Sequence, residues 1–308
     1  MVDSFDILDR NGNSNVSLPW LFGFVWLAVY GLSAQAGSPN RLSAPPNLIA
    51  ESALTIDAKT GIIFFDKNAD EPRAVASTQK LLTALIVAEH GDLDTMLKVE
   101  RTDTRIEPTR AGIKIGKEYS RRELLKVLLV KSGNDVAKCL ARSHAGSQAK
   151  FSIVMNQRAR QLGMCTSNFV NAHGLTEDGQ HSTARDMAKL AFVAYRNKHI
   201  REVVNIKKMD FSHPGPKGWS DTFTNTNRIL HSLPFVNGMK TGFTDAAGRC
   251  LVCSGVYEGR EVISVVLGST SEAVWDDSAK LLRWAIGYPD EQAALKDEAE
   301  AEAESIDG

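Results

Sequence analysis

The sequence predicts a mixed α/β (α+β) domain, in which an antiparallel sheet is assembled from both ends of the chain and a helical lobe is inserted between them. Two apolar-rich runs near residues 52–68 precede a long block of helical patterns, and three further strand-like runs follow after about residue 205. With 308 residues, 43% of them hydrophobic and 24% charged, the chain can bury an ordinary core.

The first two strand-like runs form a hairpin signal. The runs "SALTIDA" and "IIFFDKN" are joined by Lys59-Thr60-Gly61. Apolar-rich runs on both sides of a glycine that can take a positive φ are typical of a β-hairpin. We therefore place Lys59 in a solvent-facing turn.

Helix signals fill the middle of the chain. The segment "STQKLLTALIVAEH" has a serine at its start and Gly91 after its end, which predicts a buried helix whose N-terminus lies at Ser77. The segment "SRRELLKVLLVKSG" opens with Ser120 and Glu123 as a capping box and stops at Gly133. Further helical patterns run to about residue 205, so we place the helical lobe at about 96–205.

Strand signals return near the end. The runs "GMKTGFT", "GRCLVCSGVY" and "EVISVVLG" are separated by the turn signals "DAAG" and "YEGRE", and "DDSAKLLRWAIGY" predicts a closing helix. Cys250 and Cys253 lie three apart on one predicted strand and so face opposite sides, which favours small buried residues over a redox pair or metal clamp. Cys139 and Cys165 complete the set, and we expect no metal site and no cofactor.

Both ends of the chain differ from its middle. Residues 1–36 contain an apolar run that ends in Ala34-Gln35-Ala36, which predicts an export signal cut before Gly37, although the acids ahead of the run leave an uncleaved anchor open. Residues 289–308 form an acidic segment that we expect to be disordered. The ends carry net charges of −2 (residues 1–36) and −7 (residues 290–308), so the residues between carry +8, a charge that favours anionic polymer surroundings.

Two short patterns of serine amide hydrolases each occur twice. Ser-x-x-Lys is found at Ser77 to Lys80 and at Ser147 to Lys150, and Lys-Thr-Gly is found at residues 59–61 and 240–242. Alone, a Ser-x-x-Lys is usually a surface helix turn and a Lys-Thr-Gly is usually a plain turn. The residues alone leave open which copies take part in chemistry.

The copy at Ser77 has the more suitable surroundings. An i, i+3 spacing at the first turn of a buried helix places the Lys80 amine beside the Ser77 hydroxyl, and the helix N-terminus offers backbone N–H groups to a developing negative charge. A lysine base near neutral pH needs a pKa lowered from about 10.4 to about 7 or 8. Burial lowers a lysine pKa, and so does a second cation, for which Lys240 is our candidate.

The order of the motifs resembles one family closely. "ASTQKLLTA", "LLVKSGNDVA" and "VNGMKTGFTDAAG" follow one another, with "NAHGL", "HSTARDMA" and "NTNRIL" between them. Over about residues 48–288 the chain resembles the D-alanyl-D-alanine carboxypeptidases, which are low-molecular-mass penicillin-binding proteins of serine peptidase family S11. Only Ser77, Ser132 and Lys240 follow the motif order of that family.

The resemblance implies a role for each matching residue. Ser77 resembles the nucleophile and Lys80 its base, while Ser132 resembles the hydroxyl that relays a proton. Asn134 resembles the amide that holds the substrate backbone. The resemblance also implies that substrate binds at the third motif, which comprises Lys240, Thr241, Gly242 and Phe243. Lys240 with Thr241 resembles the site for the terminal carboxylate. The oxyanion would lie between the backbone N–H groups of Ser77 and Phe243.

The resemblance also implies a fold and a cellular setting. The fold is a β-lactamase/transpeptidase-like five-stranded antiparallel sheet with helices on both faces and a helical lobe, here within a domain at 46–288. Many members add a C-terminal β-domain and an amphipathic anchor, and we expect neither here. The expected partners are peptidoglycan stem peptides and inhibitory β-lactam antibiotics, with no nucleic acid, in the periplasm or at the outer side of the cell membrane. Peripheral association with membrane or wall stays open.

Three other functions compete with removal of the terminal D-alanine. A D,D-endopeptidase that cuts cross-links would use the same residues. A β-lactamase is disfavoured, because no "ExxLN" phrase lies between Ser132 and Lys240. A wall-binding protein without turnover is disfavoured too, because a pure binder has no need of a lysine with a depressed pKa.

Overall fold

The computed structural model describes residues 44–215 and 218–289. The predicted export signal at 1–36 lies outside the described residues, as does the acidic segment except for its first residue. Within the described ranges, no helix combines the length and the apolar character that a membrane crossing requires.

Two strands come first, a mainly helical block follows, and further strands come near the end, an order that fits a sheet made from both ends of the chain. The strands are β1 (Ser52–Asp57), β2 (Ile63–Lys67), β3 (Met96–Lys98), β4 (Glu118–Ser120), β5 (Lys208–His213), β6 (Trp219–Thr224), β7 (Val236–Thr244), β8 (Gly248–Tyr257) and β9 (Arg260–Ser269). The helices are α1 (Lys80–Glu89), α2 (Arg101–Thr104), α3 (Arg121–Val130), α4 (Asn134–Ala145), α5 (Gln148–Gln161), α6 (Ala184–Arg196), α7 (Lys198–Val204), α8 (Arg228–Ser232) and α9 (Ala273–Ile286).

The main sheet has five strands in the order β2-β1-β9-β8-β7, and every pairing is antiparallel. Strands from the two ends of the chain therefore meet where β1 pairs with β9. This confirms the predicted sheet. Strand β7, which carries Lys240, lies at one edge of this sheet, so one side of its backbone is available to a ligand.

Side chains alternate between two cores on the faces of the sheet. On β8, Cys250 and Val252 pack with helices α1 and α6, whereas Leu251 and Cys253 pack with α9. All four cysteines are unpaired, and Cys250 and Cys253 are buried on opposite faces, as the spacing predicted. Burial raises the pKa of the Cys253 thiol to about 12, so this thiol stays protonated and inert.

The predicted capping box of α3 is present. The Ser120 hydroxyl accepts a hydrogen bond from the Glu123 backbone N–H (3.1 Å), and a Glu123 carboxylate oxygen accepts one from the Ser120 backbone N–H (3.3 Å). The end of this helix differs from the prediction. It stops at Val130, and Ser132 takes a φ of 69°, which turns the chain sharply into α4.

The start of α1 needs a correction as well. A 3-10 turn spans Ala76–Gln79 and the α-helix begins at Lys80, so Ser77 is not the first residue of an α-helix. Ala76 has a φ of 47°, a left-handed conformation that breaks helical geometry just before Ser77. Ser77 and Lys80 nonetheless lie on consecutive turns of one continuous helical segment.

Two small two-stranded sheets were not predicted: β3–β4, whose strands flank α2, and the hairpin β5–β6. The second lies beside the helical region. Its residue His213 is buried. The His213 Nδ1 atom shares a hydrogen bond with the Tyr119 hydroxyl (3.0 Å), and its Nε2 atom pairs with Asp221 (3.0 Å). The predicted boundary of a lobe at about 96–205 stays a prediction, since α6 falls inside that range and packs against β1 and β9.

Candidate active site

The Ser77 hydroxyl and the Lys80 amine meet at the start of α1. Lys80 Nζ lies 2.7 Å from Ser77 Oγ, which is hydrogen-bond distance. The Lys80 side chain is fully buried, whereas Ser77 is half-buried and reaches the cleft. The 3-10 turn and the first turn of α1 produce this contact, because residues three apart lie one above the other on a helical segment.

Two oxygen atoms hold the other side of the Lys80 amine. Nζ donates to the Asn134 side-chain oxygen Oδ1 (2.8 Å) and to the backbone carbonyl of His173 (2.5 Å). The orientation of the Asn134 amide is fixed, since its Nδ2 donates to the carbonyl of Pro108. Oδ1 therefore faces Lys80, as the hydrogen-bond pattern requires.

These contacts define where the lone pair of a neutral Lys80 amine points. A neutral amine has two N–H groups and one lone pair. The two carbonyl oxygens can only accept, so they take both N–H groups. The lone pair is then left for Ser77, whose O–H donates to it. The arrangement favours proton transfer from Ser77 to Lys80.

The surroundings favour the neutral form of Lys80. Complete burial lowers its pKa well below the ordinary value, and the nearby charge of Lys240 lowers it further, while Asp135 acts in the opposite direction. Both causes that the sequence suggested, burial and a second cation, act in the expected direction. A base that is neutral at moderate pH is what an acyl transfer by serine requires.

Lys240 is itself buried, with 1% of its surface exposed. Its Nζ donates to the carbonyl of Thr241 (2.9 Å), and among the described residues it has no acidic partner within 4 Å. Burial lowers its pKa to about 7. A buried ammonium without a counter-ion attracts an anion, and a bound carboxylate would in turn favour its charged form.

The Thr241 hydroxyl has a neighbour that the sequence analysis missed. It shares a hydrogen bond with the Thr226 hydroxyl (2.6 Å), and Thr226 is solvent-exposed. Thr226 comes from the loop between β6 and α8, 15 residues away in sequence. Together the two hydroxyls and the Lys240 ammonium offer several donors to a carboxylate.

Strand β7 passes very close to the turn that carries Ser77. A Cβ atom built on Gly242 would lie 3.0 Å from the Ala76 Cβ and from the backbone nitrogens of Ser77 and Thr78. Those distances are shorter than ordinary contacts. The glycine of the second Lys-Thr-Gly therefore permits β7 and the Ser77 turn to form the two walls of one narrow cleft.

We expect Gly242→Ala to lower kcat/KM about tenfold or more. The added methyl group pushes β7 away from the Ser77 turn, and displacements of about 1 Å in a catalytic arrangement can cost a hundredfold in rate. Steady-state kinetics on a soluble D-Ala-D-Ala peptide, with a thermal melt beside it, measures the effect.

A suitable control is Gly259→Ala, in the β8–β9 turn, where no atom lies within 4 Å of the added Cβ. Its φ of 76° imposes backbone strain, so it costs stability without moving the cleft. An equal fall in kcat/KM in both variants would show that the close approach of β7 to the Ser77 turn is not what the activity requires.

Ser132 and Phe243 are near the cleft without joining this hydrogen-bond set. Ser132 lies at the sharp corner between α3 and α4, and its hydroxyl has no hydrogen bond to any residue in 44–215 or 218–289. Phe243 is 48% exposed at the end of β7, with the Arg249 guanidinium 4.3 Å from its ring centre. Asn134, rather than Ser132, contacts the lysine amine.

The backbone carbonyl of His173 contacts both Ser77 Oγ (3.4 Å) and Lys80 Nζ (2.5 Å). Its imidazole is buried, and burial is the main cause that lowers the pKa of His173 to about 3, so the ring stays neutral. No sequence signal marks a backbone acceptor, because every residue has a carbonyl.

The other copies of the two motifs, Lys59 to Gly61 and Ser147 to Lys150, have structural roles. Lys59 lies in the β1–β2 turn, where its Nζ donates to the carbonyl of Gly259 (2.6 Å). Ser147 is the N-cap of α5, and its hydroxyl accepts from the Lys150 backbone N–H (3.2 Å). Neither belongs to the hydrogen-bond set around Ser77.

A serine beside a buried lysine whose pKa is lowered, with a second buried lysine near it, is the arrangement of a serine hydrolase of the Ser-x-x-Lys class. The sequence matches the peptidase S11 family, described as D-alanyl-D-alanine carboxypeptidase, over residues 39–271. The chain belongs to this family.

Individual relatives are D-alanyl-D-alanine peptidases as well. The chain is 30% identical over 254 residues to the D-alanyl-D-alanine carboxypeptidase DacF of Bacillus subtilis, covering 80% of this chain and 64% of that protein. It is 30% identical to a D-alanyl-D-alanine endopeptidase of Escherichia coli, covering 79% of each. Among solved structures, a Streptomyces DD-transpeptidase gives a TM-score of 0.76 at 29% identity, covering 80% of this chain and 100% of that one. The chain spans 64% of the length of the Bacillus subtilis relative.

Proposed function

We propose that the protein is a serine-type D-Ala-D-Ala carboxypeptidase, which removes the terminal D-alanine from peptidoglycan stem peptides through an acyl-enzyme. The observation that carries the proposal is the fully buried Lys80 amine, 2.7 Å from Ser77 Oγ and bonded elsewhere only to carbonyl oxygens. A lysine held in this way serves as a base. Membership of the S11 family supports the choice of substrate.

In the proposed complex, the substrate lies extended along the free edge of β7. Its terminal carboxylate binds Lys240, with the Thr241 and Thr226 hydroxyls as further donors. The Asn134 amide lies on the opposite wall, beside the acyl part of the substrate. This places the scissile carbonyl against Ser77.

Acylation then proceeds in two steps. Ser77 Oγ attacks the carbonyl carbon while its proton moves to the Lys80 lone pair, and the carbonyl oxygen becomes an oxyanion between the backbone N–H groups of Ser77 and Phe243. The C–N bond breaks as the amide nitrogen receives the proton from Lys80; the Ser132 hydroxyl, which has no hydrogen-bond partner among the described residues, is the proposed relay once substrate is bound. Free D-alanine leaves, and an ester remains on Ser77.

Hydrolysis of that ester completes the cycle. Water gives a proton to Lys80 and attacks the ester carbonyl, and the proton returns to Ser77 as the acid product leaves. A β-lactam follows the same acylation path, but its leaving nitrogen stays tethered to the acyl group. We therefore propose β-lactam antibiotics as inhibitors and a location on the outer side of the cytoplasmic membrane, where peptidoglycan is found.

Relatives named D-alanyl-D-alanine endopeptidase favour a second activity, hydrolysis of peptide cross-links. The same residues would perform it, since only the leaving amine differs. Incubation of the purified protein with a muramyl pentapeptide and with a cross-linked dimer, followed by mass identification of the products, tests both activities. Release of D-alanine from the pentapeptide supports the proposal, and no hydrolysis of either substrate refutes it.

A further inference from the structure

A cavity of about 660 Å³ lies beside the corner that carries Ser132 and Asn134. It lies between the 104–114 segment, the end of α3 and the β5–β6 hairpin. The residues used below are Arg110, Lys114, Lys131, Asp135, Asp221 and Phe223. None of them belongs to the hydrogen-bond set around Ser77 and Lys80.

The two lysines of this cavity are available to a ligand. Among the residues that the structure describes, neither Lys114 nor Lys131 has an acidic group within 4 Å. Each ammonium instead faces an aromatic ring, Lys114 at 5.1 Å from the Trp219 ring centre and Lys131 at 5.7 Å from that of Phe223. A cation over an aromatic ring keeps its charge and keeps other directions open for an anion.

The acidic side chains of the cavity are already bonded. Asp135 is 1% exposed, and its two oxygens accept from the backbone N–H groups of residues 111, 112, 113 and 136 at 2.8–3.3 Å. Asp221 pairs with His213, and Arg110 pairs with Glu107 (2.9 Å). Asp135 and Asp221 keep their negative charge but already face donors, so Lys114 and Lys131 are the cavity cations that have no acidic partner within 4 Å among the described residues.

A short chain of contacts connects the cavity with the proposed carboxylate site. Lys131 immediately precedes Ser132, and the carbonyl of its other neighbour, Val130, accepts from the Thr226 backbone N–H (3.3 Å). The Thr226 hydroxyl in turn bonds the Thr241 hydroxyl. The cavity is thus connected through Val130 and Thr226 to the residues that we propose hold the terminal carboxylate, which belongs to the leaving group.

We propose that this cavity is a binding subsite for a carboxylate-bearing peptide joined to the leaving group of the substrate. The inference rests on the proposed function, because the position of the scissile bond follows from it. A single terminal D-alanine ends at Lys240 and leaves the cavity empty. A second stem peptide joined through the scissile amide continues past Lys240, and its carboxylates meet Lys114 and Lys131.

The subsite therefore selects cross-linked peptide over free pentapeptide without changing the chemistry at Ser77. The reaction with such a substrate breaks the same C–N bond. The released amine stays part of the second stem peptide, and water completes the hydrolysis of the acyl-enzyme. The exposed Lys114 and the half-buried Lys131 attract their ligand mainly through charge. Salt should therefore weaken this selection, with screening over about 10 Å at 0.1 M.

The test compares two substrates in variants of the two lysines. In Lys114→Ala/Lys131→Ala, we expect kcat/KM for a purified cross-linked dimer to fall at least tenfold, while kcat/KM for the muramyl pentapeptide changes less than twofold. Lys131→Arg should keep most of the activity on the dimer, because it keeps the charge. Lys150→Ala, which removes a lysine exposed at the start of α5, is the matched control and should affect neither substrate.

The outcomes separate this inference from the proposed function. An equal fall on both substrates, or no fall on the dimer, overturns the subsite. So does a wild-type protein that hydrolyses the pentapeptide and leaves the dimer intact, although the carboxypeptidase function then stands. Failure of the wild-type protein on both substrates overturns the carboxypeptidase function itself.

Discussion

Lys80→Ala should lose nearly all acylation, with kcat/KM about a thousandfold or more below that of the wild-type protein. The substitution removes the only amine beside Ser77 Oγ in the described residues and leaves the carbonyl oxygens of Asn134 and His173 without their donor. General-base catalysis alone is worth about a hundred- to ten-thousandfold. Stopped-flow acylation by a chromogenic β-lactam and turnover of a D-Ala-D-Ala peptide measure the loss.

A fold control accompanies this variant. The Lys80 side chain is buried, so a smaller residue leaves a cavity, and thermal denaturation must show that the protein is still folded. Lys80→Met fills more of that space and should be as inactive as Lys80→Ala. Acylation by a folded variant within tenfold of the wild-type rate would show that another group accepts the Ser77 proton.

Lys240→Ala should lower kcat/KM at least tenfold, whereas Lys59→Ala should leave it almost unchanged. The two lysines belong to the two copies of Lys-Thr-Gly. Loss of Lys240 removes a charge-assisted contact with the substrate carboxylate, worth about 1.5 to 3 kcal/mol. Lys59 lies in a surface turn, where substitutions usually stay within about 0.5 kcal/mol of stability.

The pH dependence of kcat/KM provides a second comparison of Lys240→Ala with Lys59→Ala. The charge of Lys240 lowers the pKa of Lys80, so its removal raises that pKa. Since Lys80 must be neutral to act as a base, the acidic limb of the kcat/KM profile should move to higher pH in Lys240→Ala and stay in place in Lys59→Ala. Equal damage in the two variants, or greater damage in Lys59→Ala, would mean that the first copy had been wrongly assigned to a plain turn.

A stability measurement checks that a loss of activity in a Lys240 variant comes from the active site and not from unfolding. The folded-state pKa of Lys240, about 7, lies below its ordinary value of 10.5, so the unfolded chain binds more protons between these values. The cost of burying this lysine therefore appears as pH falls from 10.5 to 7. Lys240→Met lacks that cost and should be at least as stable as the wild-type protein at pH 7.

Much of the sheet could be predicted because its strands have clear boundaries. Gly61 and the segments "DAAG" and "YEGRE" mark turns between apolar runs, and the strands alternate between two buried cores. The β5–β6 hairpin gave no such signal, since many of its residues are polar or exposed and its stability depends on Tyr119 and His213, which are 94 residues apart. Local patterns carry no information about such a contact.

The active site shows the same difference between local patterns, which could be predicted, and long-range contacts, which could not. The i, i+3 spacing of Ser77 and Lys80 is a local property, and it correctly placed the amine beside the hydroxyl. The carbonyl of His173 reaches this pair from 93 residues beyond Lys80. The positive φ of Ala76, which starts the 3-10 turn, occurs at a residue type that gives no warning of it.

The central claim is that Ser77, activated by a neutral Lys80, is the nucleophile. Peptide mapping by mass spectrometry of the penicillin-labelled protein tests it most directly. We expect one acyl adduct, located on Ser77 and absent from Ser77→Ala, because Ser77 has the buried amine at 2.7 Å whereas Ser147 caps α5. An adduct on Ser147, or undiminished labelling of Ser77→Ala, would contradict the account.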